Sequence, residues 1–289
     1  MLKAIIKTMR PKQWTKNVFL LAAIIFDRQL FNLGALLHTI LGLTLFCLIS
    51  SVVYIINDIV DAEADRQHPT KRNRPIPSGK LPVPIAISVV VVLLIAIFPI
   101  AYWISPPFTA ILAAYFVINL LYSFWLKHIP IIDILIIASG FVLRVGAGVT
   151  LIDVQRFSPW LYVAMTLLAL YMGFGKRRAE LVLLAGEAYS HRKVLDGYTI
   201  PFLDQLIIIV SSTTIVAYSL YTFSAENLPG NHLTMLTIPF VLYAIFRYLY
   251  LIQVKKEVGA PDELVLTDRP LQAAIILYGI AIFVIFYLV

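Results

Sequence analysis

Residues 57–66 read Asn57-Asp58-Ile59-Val60-Asp61-Ala62-Glu63-Ala64-Asp65-Arg66, and residues 71–79 read Lys71-Arg72-Asn73-Arg74-Pro75-Ile76-Pro77-Ser78-Gly79. This polar stretch lies between two apolar runs, 35–57 and 82–104, each long enough to cross a bilayer. On a helix turning about 100° per residue, positions 58, 61 and 65 fall within about 60° of one another. Asp58, Asp61 and Asp65 are therefore expected on one face, with Glu63 pointing away. Three carboxylates that close repel and partly neutralise one another unless a divalent cation sits between them. Hard oxygen donors suit Mg2+, so the three aspartates are predicted as metal ligands and catalytic residues, with Asn57 beside them as a ligand-binding residue. Lys71, Arg72 and Arg74 follow in a Pro-punctuated loop that cannot continue the helix, and supply positive charge for a diphosphate. The competing reading is a solvated basic loop that only marks membrane orientation. Such a loop has no need of three acids on one face.

Composition places this stretch in its setting. The chain has 289 residues, 60% of them hydrophobic and 13% charged, and a mean hydropathy of +0.88. That is too apolar for an ordinary soluble domain and implies a polytopic membrane protein. The formal charge of +7 does not imply a nucleic-acid partner, because the bases fall in the connections between apolar runs. Cys47 is the only cysteine, which excludes an intramolecular disulfide and a cysteine metal cluster. No cleavable signal peptide is expected, since the first long apolar run lacks a small-residue cleavage site. Leu2, Ile5, Ile6 and Met9 recur at helical spacing with Lys3, Lys7 and Arg10 between them, so residues 1–16 are predicted to lie in the interface as an amphipathic helix.

Apolar runs at about 17–33, 35–57, 82–104, 107–125, 131–152, 158–175, 203–223, 234–253 and 270–288 predict nine spans. The third and fourth meet in a tight hairpin at Ser105, Pro106 and Pro107. Alternate connections carry nineteen Lys and Arg on one side, against Arg28 and Arg156 on the other. The basic side is thus predicted to be cytoplasmic, with the N-terminus on it, in the inner or plasma membrane. The fold class is all-α: one domain over 1–289, a nine-helix membrane bundle around a central cavity open to the cytoplasmic face, with active-site loops at 58–81 and 176–202.

Four further groups carry candidates. Lys16 begins the first span and is predicted to meet a phosphate, whereas Trp14 reads equally as an interface anchor. Asn119, Tyr122, Ser123 and Lys127 end the fourth span, with Asp133 entering the fifth; Tyr122 and Lys127 offer a donor and a cation to phosphate oxygens. Arg144 lies about 20 Å into its span and calls for an anionic group or a structural partner such as a facing carboxylate. Gly140, Gly146 and Gly148 beside it permit close helix packing. Arg247 sits near a span end and reads as a snorkelling side chain. The connection after the sixth span holds Lys176, Arg177, Arg178 and Glu180, then His191, Arg192, Lys193, Asp196 and Tyr198.

Asn57-Asp58-x-x-Asp61-x-x-x-Asp65 with Arg74-Pro75-Ile76-x-Ser78-Gly79 resembles the first signature of the UbiA intramembrane prenyltransferase superfamily. In prenyltransferases proper, the resemblance implies a second aspartate-rich motif after the sixth span; this chain has Lys176-Arg177-Arg178-Ala179-Glu180 there instead. One acidic and one basic cluster fit a ligand with a diphosphate at one end and a phosphate at the other, the shape of phosphoribosyl diphosphate (PRPP). Arg10-Pro11-x-Gln13-Trp14-x-Lys16-Asn17, the acidic stretch with His68-Pro69-x-Lys71-Arg72, Tyr122-Ser123 to Lys127, and Lys176-Arg177-Arg178-x-Glu180 together resemble the decaprenyl-phosphate phosphoribosyltransferases. The resemblance implies Mg2+-dependent transfer of 5-phosphoribose from PRPP to a polyprenyl phosphate, with diphosphate released, an early step toward lipid-linked arabinofuranose for cell-wall arabinan. It implies Lys176, Arg177 and Arg178 at the 5-phosphate, and Lys16, Lys71, Arg72, Tyr122 and Lys127 at the diphosphate or the lipid phosphate. Two alternatives stay open: prenyl transfer from a prenyl diphosphate to an aromatic or glycerol-phosphate acceptor, and anion transport.

Overall fold

The computed structural model describes residues 1–67, 71–154, 158–184, 193–225 and 228–289. His68, Pro69, Arg156, His191 and Arg192 lie outside them, as does the side chain of Lys193. Every regular element among the described residues is helical. The chain forms two compact units, Met1–Ile129 with Leu143–Val154, and Pro130–Val142 with Gln155–Val289.

In the first unit, α1 (Leu2–Met9) ends at Arg10, whose φ of 53° is left-handed. Pro11 then opens a 3-10 segment, Pro11–Leu21, which passes into the short α2 (Ala22–Phe26). The interfacial helix is thus shorter than the predicted 1–16, and the span expected at 17–33 is not one continuous helix. Proline fixes the start of the 3-10 segment, and the polar Asp27-Arg28-Gln29 turn, with Arg28 at φ 58°, stops α2. Asn32 caps α3 (Leu33–Val60), its Oδ1 accepting from the N–H groups of Gly34 and Ala35 at 3.1 and 3.2 Å. The short α4 (Ala62–Gln67) follows directly. Then come α5 (Val83–Ile104) and α6 (Pro106–Phe124), parted only by Ser105. Ser105 Oγ accepts from Phe108 N–H and donates to the Thr150 carbonyl at 2.9 Å, so the expected tight hairpin is present and tied down.

Leu45, Phe46, Ile49 and Val52 of α3 pack with Ala86, Val90 and Ile97 of α5 and with Phe108, Leu112 and Tyr115 of α6. Lipid tails are as apolar as these side chains, so close fit rather than water exclusion holds spans together. α7 (Ile132–Val149) shows this: a Cβ on Gly148 would lie 2.1 Å from the Leu20 carbonyl oxygen. Gly146 meets only ordinary contact at Ile111, 3.7 Å away.

The second unit holds α8 (Pro159–Leu184), α9 (Ile200–Ser224), α10 (Ile238–Gln253), α11 (Pro261–Thr267) and α12 (Arg269–Tyr287). Ile134, Tyr171, Phe174, Leu203, Ile207, Tyr248 and Leu251 form its core. Lys176, Arg177, Arg178 and Glu180, expected in a loop, lie inside α8. Lys, Arg, Ala, Glu and Leu are all good helix formers, and nothing in that run breaks the helix. Arg247 does not simply snorkel: its Nη2 and Nε donate to Asp268 at 2.8 and 3.2 Å, and Asp268 also caps α12 at Leu271 N–H.

Among the described residues, seven helices are long and apolar enough to cross a membrane: Leu33–Val60, Val83–Ile104, Pro106–Phe124, Ile132–Val149, Ile200–Ser224, Leu233–Gln253 and Arg269–Tyr287. Large side chains such as Val92, Ile95 and Trp103 of α5 are exposed, as lipid-facing residues are. This is a multi-pass membrane protein. The remaining two predicted spans fall on the broken 3-10 and α2 segment and on α8, whose run carries Tyr162, Thr166 and Tyr171 before its bases.

Candidate functional site

The acidic stretch sits at the end of α3 in the first unit. The helix breaks at Asp61, which has φ −89° and ψ 3°, so the aspartates do not share one uninterrupted helical face. The ladder nevertheless closes across the break, with Asp61 N–H donating to the Asn57 carbonyl and Asp65 N–H to the Asp61 carbonyl, at 2.9 and 2.8 Å. Asp58 is 1% exposed and Asp65 4%. Carboxylates so buried need compensating charge, and three bases, Arg10, Lys71 and Arg74, provide it.

Arg74 Nη1 donates to Asp65 Oδ2 at 2.6 Å and to Asp58 Oδ1 at 3.2 Å, bridging the two. Arg10 Nη2 donates to the same Asp58 oxygen, and its guanidinium lies 5.0 Å from the ring centre of Tyr54, one turn back along α3. Lys71 Nζ is 3.9 Å from Asp65 Oδ1. Lys127 Nζ, from the turn after α6, donates to Asp61 Oδ1 at 2.6 Å.

The turn that presents Arg10 is clipped to α3. Trp14 Nε1 donates to Ser51 Oγ at 3.0 Å, and Ser51 Oγ donates to the Met9 carbonyl at 3.1 Å. Asn17, fully buried, donates to Cys47 Sγ at 3.1 Å and accepts from Arg144 Nε at 2.7 Å. Arg144 also donates to Tyr115 OH at 3.0 Å and lies over the Phe46 and Tyr115 rings.

Four other candidates lie in this unit. Asn57, Lys16 and Tyr122 are partly buried, and Arg72 is exposed with no ion pair to a carboxylate among the described residues. Arg10 was legible in the sequence only as a topology charge and a motif position, since no spacing rule links it to Asp58.

In the second unit Arg177 and Arg178 are held by acids. Arg177 is 1% exposed; its Nε donates to Asp133 Oδ2 at 2.6 Å and its Nη1 to Glu180. Tyr198 OH donates to the other Asp133 oxygen at 2.6 Å. Burial and the neighbouring carboxylate push the Tyr198 phenol well above its ordinary range. Arg178 Nε donates to Asp204 Oδ1 at 2.6 Å. Lys176 is partly buried and has no ion pair among the described residues.

Among the described residues no three His, Cys, Asp or Glu side chains gather closely enough to cage a metal. Asp58, Asp61 and Asp65, expected to share a divalent cation, are each paired with a base. Mg2+ commonly takes only one or two carboxylates and completes its shell with phosphate oxygens and water. Asp61, 30% exposed at its side chain, and Asp65 fit that smaller role as hard oxygen donors.

Residues 18–258, which hold Asp58, Asp61, Asp65, Lys71, Arg74 and Lys127 but not Arg10, Trp14 or Asn17, match the UbiA prenyltransferase family. The chain belongs to that family. Its similarity to curated relatives runs nearly end to end. It is 35% identical to the decaprenyl-phosphate phosphoribosyltransferase of Mycolicibacterium smegmatis, over 94% of this chain and 89% of the relative. It is 34% identical to the enzyme of the same name from Corynebacterium glutamicum, over 92% and 82%. The Mycobacterium tuberculosis H37Rv enzyme is 33% identical over 93% and 89%. In fold, this UbiA family member is similar to a UbiA homologue of Archaeoglobus fulgidus solved with DMAPP and Mg2+, with a TM-score of 0.74, 19% identity and 99% of both chains covered. A digeranylgeranylglyceryl phosphate synthase gives a TM-score of 0.69 at 18% identity, over 99% and 98%.

Proposed function

We propose that the protein transfers 5-phosphoribose from PRPP to a polyprenyl phosphate of the decaprenyl type, releasing diphosphate. The observation that carries this reading is the near-full-length similarity to decaprenyl-phosphate phosphoribosyltransferases. The first unit's cluster supports it, because buried acids interleaved with Arg10, Lys71, Arg74 and Lys127 suit a diphosphate. The product would feed the assembly of lipid-linked arabinofuranose for cell-wall arabinan.

The acceptor phosphate is already anionic, so attack on the anomeric carbon needs no general base. The protein's work is positioning and charge neutralisation. Lys127, Lys71 and Arg74 would hold the leaving diphosphate, with Lys16, Arg72 and Tyr122 at the diphosphate or the lipid phosphate. Inversion at the anomeric carbon follows from a single displacement. Mg2+, held by Asp61 and Asp65 with Asp58 and Asn57 alongside, would neutralise the charge that develops on the leaving group. In the second unit Lys176 is the proposed phosphate ligand, and Arg177 and Arg178 act from within their carboxylate pairs, Arg177 fixing Glu180. We place the active site at the cytoplasmic face of the cell membrane, where the basic connections lie.

The test uses the full chain in liposomes with PRPP and polyprenyl phosphate. Diphosphate should appear only when both substrates are present. PRPP that enters the vesicles without diphosphate release would instead make the protein an anion transporter.

A further inference from the structure

Trp14, Asn17 and Leu20 stand three residues apart in the 3-10 segment Pro11–Leu21 of the first unit. A 3-10 helix has three residues per turn, so side chains at i and i+3 eclipse and these three form one row. The row faces α3. Trp14 Nε1 donates to Ser51 Oγ at 3.0 Å, and Asn17 Nδ2 donates to Cys47 Sγ at 3.1 Å. Three residues of a 3-10 helix rise about 6 Å, as do the four residues of α-helix that separate Cys47 from Ser51. The two antiparallel rows therefore keep step. In an α-helix the same three residues would rise only about 4.5 Å and lose that match. The far end of the row is fixed as well, by Arg144 Nε on Asn17 Oδ1 at 2.7 Å and by Gly148, which admits the Leu20 carbonyl.

At the near end of the row is Arg10, in the left-handed region at φ 53° and ψ 62°, where a residue with a Cβ stays only if its surroundings hold it. Its backbone is bracketed. Gln13 N–H donates to the Arg10 carbonyl at 2.8 Å. The Ser51 hydroxyl, fully buried, accepts from Trp14 and shares its proton between the carbonyls of Met9 at 3.1 Å and Cys47 at 2.8 Å. One hydroxyl thus touches the chain on both sides of Arg10. We propose that Trp14 and Ser51 are positioning residues, which set the Arg10 guanidinium on Asp58 and through it tune the diphosphate site. The proposal rests on reading the acidic cluster as that site. Asp58 Oδ1 takes both Arg10 and Arg74, and Arg74 also reaches Asp65 Oδ2 at 2.6 Å. With Arg10 withdrawn, the buried Asp58 carboxylate would lean on Arg74 alone. Arg74 would then be less available to Asp65 and to phosphate oxygens. Trp14, which the sequence left as an interface anchor, gains a task in the reaction by this route.

The experiment is a double-mutant cycle on the purified full-length protein, reading kcat and the KM for PRPP and for polyprenyl phosphate. Trp14→Phe keeps a ring and removes the N–H donor; Ser51→Ala removes the hydroxyl, and serves if Trp14→Phe does not fold. Each should raise the KM for PRPP by about 10-fold and leave the lipid KM in place. In an Arg10→Gln background each should add less than about 2-fold, because the residue they act through no longer carries its charge. Effects that multiply with Arg10→Gln, or that fall on kcat and both KM values alike, mean a purely structural role and overturn the proposal. So does an unchanged PRPP KM in the folded variants. Binding of inorganic diphosphate with Mg2+, followed by equilibrium dialysis in the same set of proteins, separates the two readings. Coupling to Arg10 in that assay without PRPP turnover keeps the positioning role and removes the transfer reaction, whereas turnover with independent effects removes only the positioning role.

Discussion

Lys127 Nζ lies 2.6 Å from Asp61 Oδ1, a contact between residues 66 positions apart. It joins the turn after α6 to the break after α3, and it engages the most exposed of the three aspartates. Asp61→Asn keeps the shape of the side chain and removes its charge. Turnover should fall by about 100-fold or more, and metal-dependent PRPP binding should weaken. Near-normal steady-state rates in that variant would remove Asp61 from the metal assignment.

Lys176 and Arg177 are neighbours in sequence with different surroundings, and their alanine variants should differ in kind. Arg177→Ala leaves the fully buried Asp133 carboxylate with the Tyr198 hydroxyl but no counter-charge from Arg177, a loss of about 3–5 kcal/mol when a buried pair is broken. Thermal unfolding in detergent should show it as a marked drop in midpoint. Lys176→Ala should leave the midpoint in place and raise the KM for PRPP more than that for the lipid. The opposite KM pattern would move Lys176 to the acceptor.

Gly148 admits no side chain, because its Cβ would lie 2.1 Å from the Leu20 carbonyl oxygen. Backbone cannot rotate aside as a side chain can, so Gly148→Ala should destabilise by about 1–3 kcal/mol. Gly146→Ala, with 3.7 Å to Ile111, is the control and should be close to neutral in the same unfolding assay.

Asp268 is held below the usual carboxylate range by its hydrogen bonds to Arg247. A depressed folded-state pKa contributes stability above the unfolded value of 3.8, and loses it as pH falls through the folded value. Unfolding midpoints of wild type and Asp268→Asn should therefore differ at pH 6 and converge as the pH drops well below 4. A difference that persists unchanged at the lowest pH would mean that the carboxylate's charge is not what matters there.

The sequence made the membrane class, the acidic stretch and the Ser105 hairpin readable, because hydropathy runs, clustered charge and Pro-Pro are local signals. The partners of the charges were not readable. Arg10 and Asp58 are 48 positions apart, and Arg177 and Asp133 are 44 apart, so only the fold reveals that they pair. The placement of Lys176 to Glu180 in a loop followed the habit that charge ends a span, whereas their helix propensity carries α8 onward to Leu184. The segment 17–33 looked like a span by length alone, and hydropathy carries no warning of the 3-10 geometry that Pro11 begins.

The central claim is the identity of the transferred group, and mass analysis of the lipid product tests it most directly. Purified protein supplied with PRPP, a prenyl diphosphate, polyprenyl phosphate and an aromatic acceptor should yield polyprenyl phosphate heavier by one phosphoribosyl unit, with the aromatic acceptor unchanged. A prenylated aromatic product with the polyprenyl phosphate untouched would contradict the account.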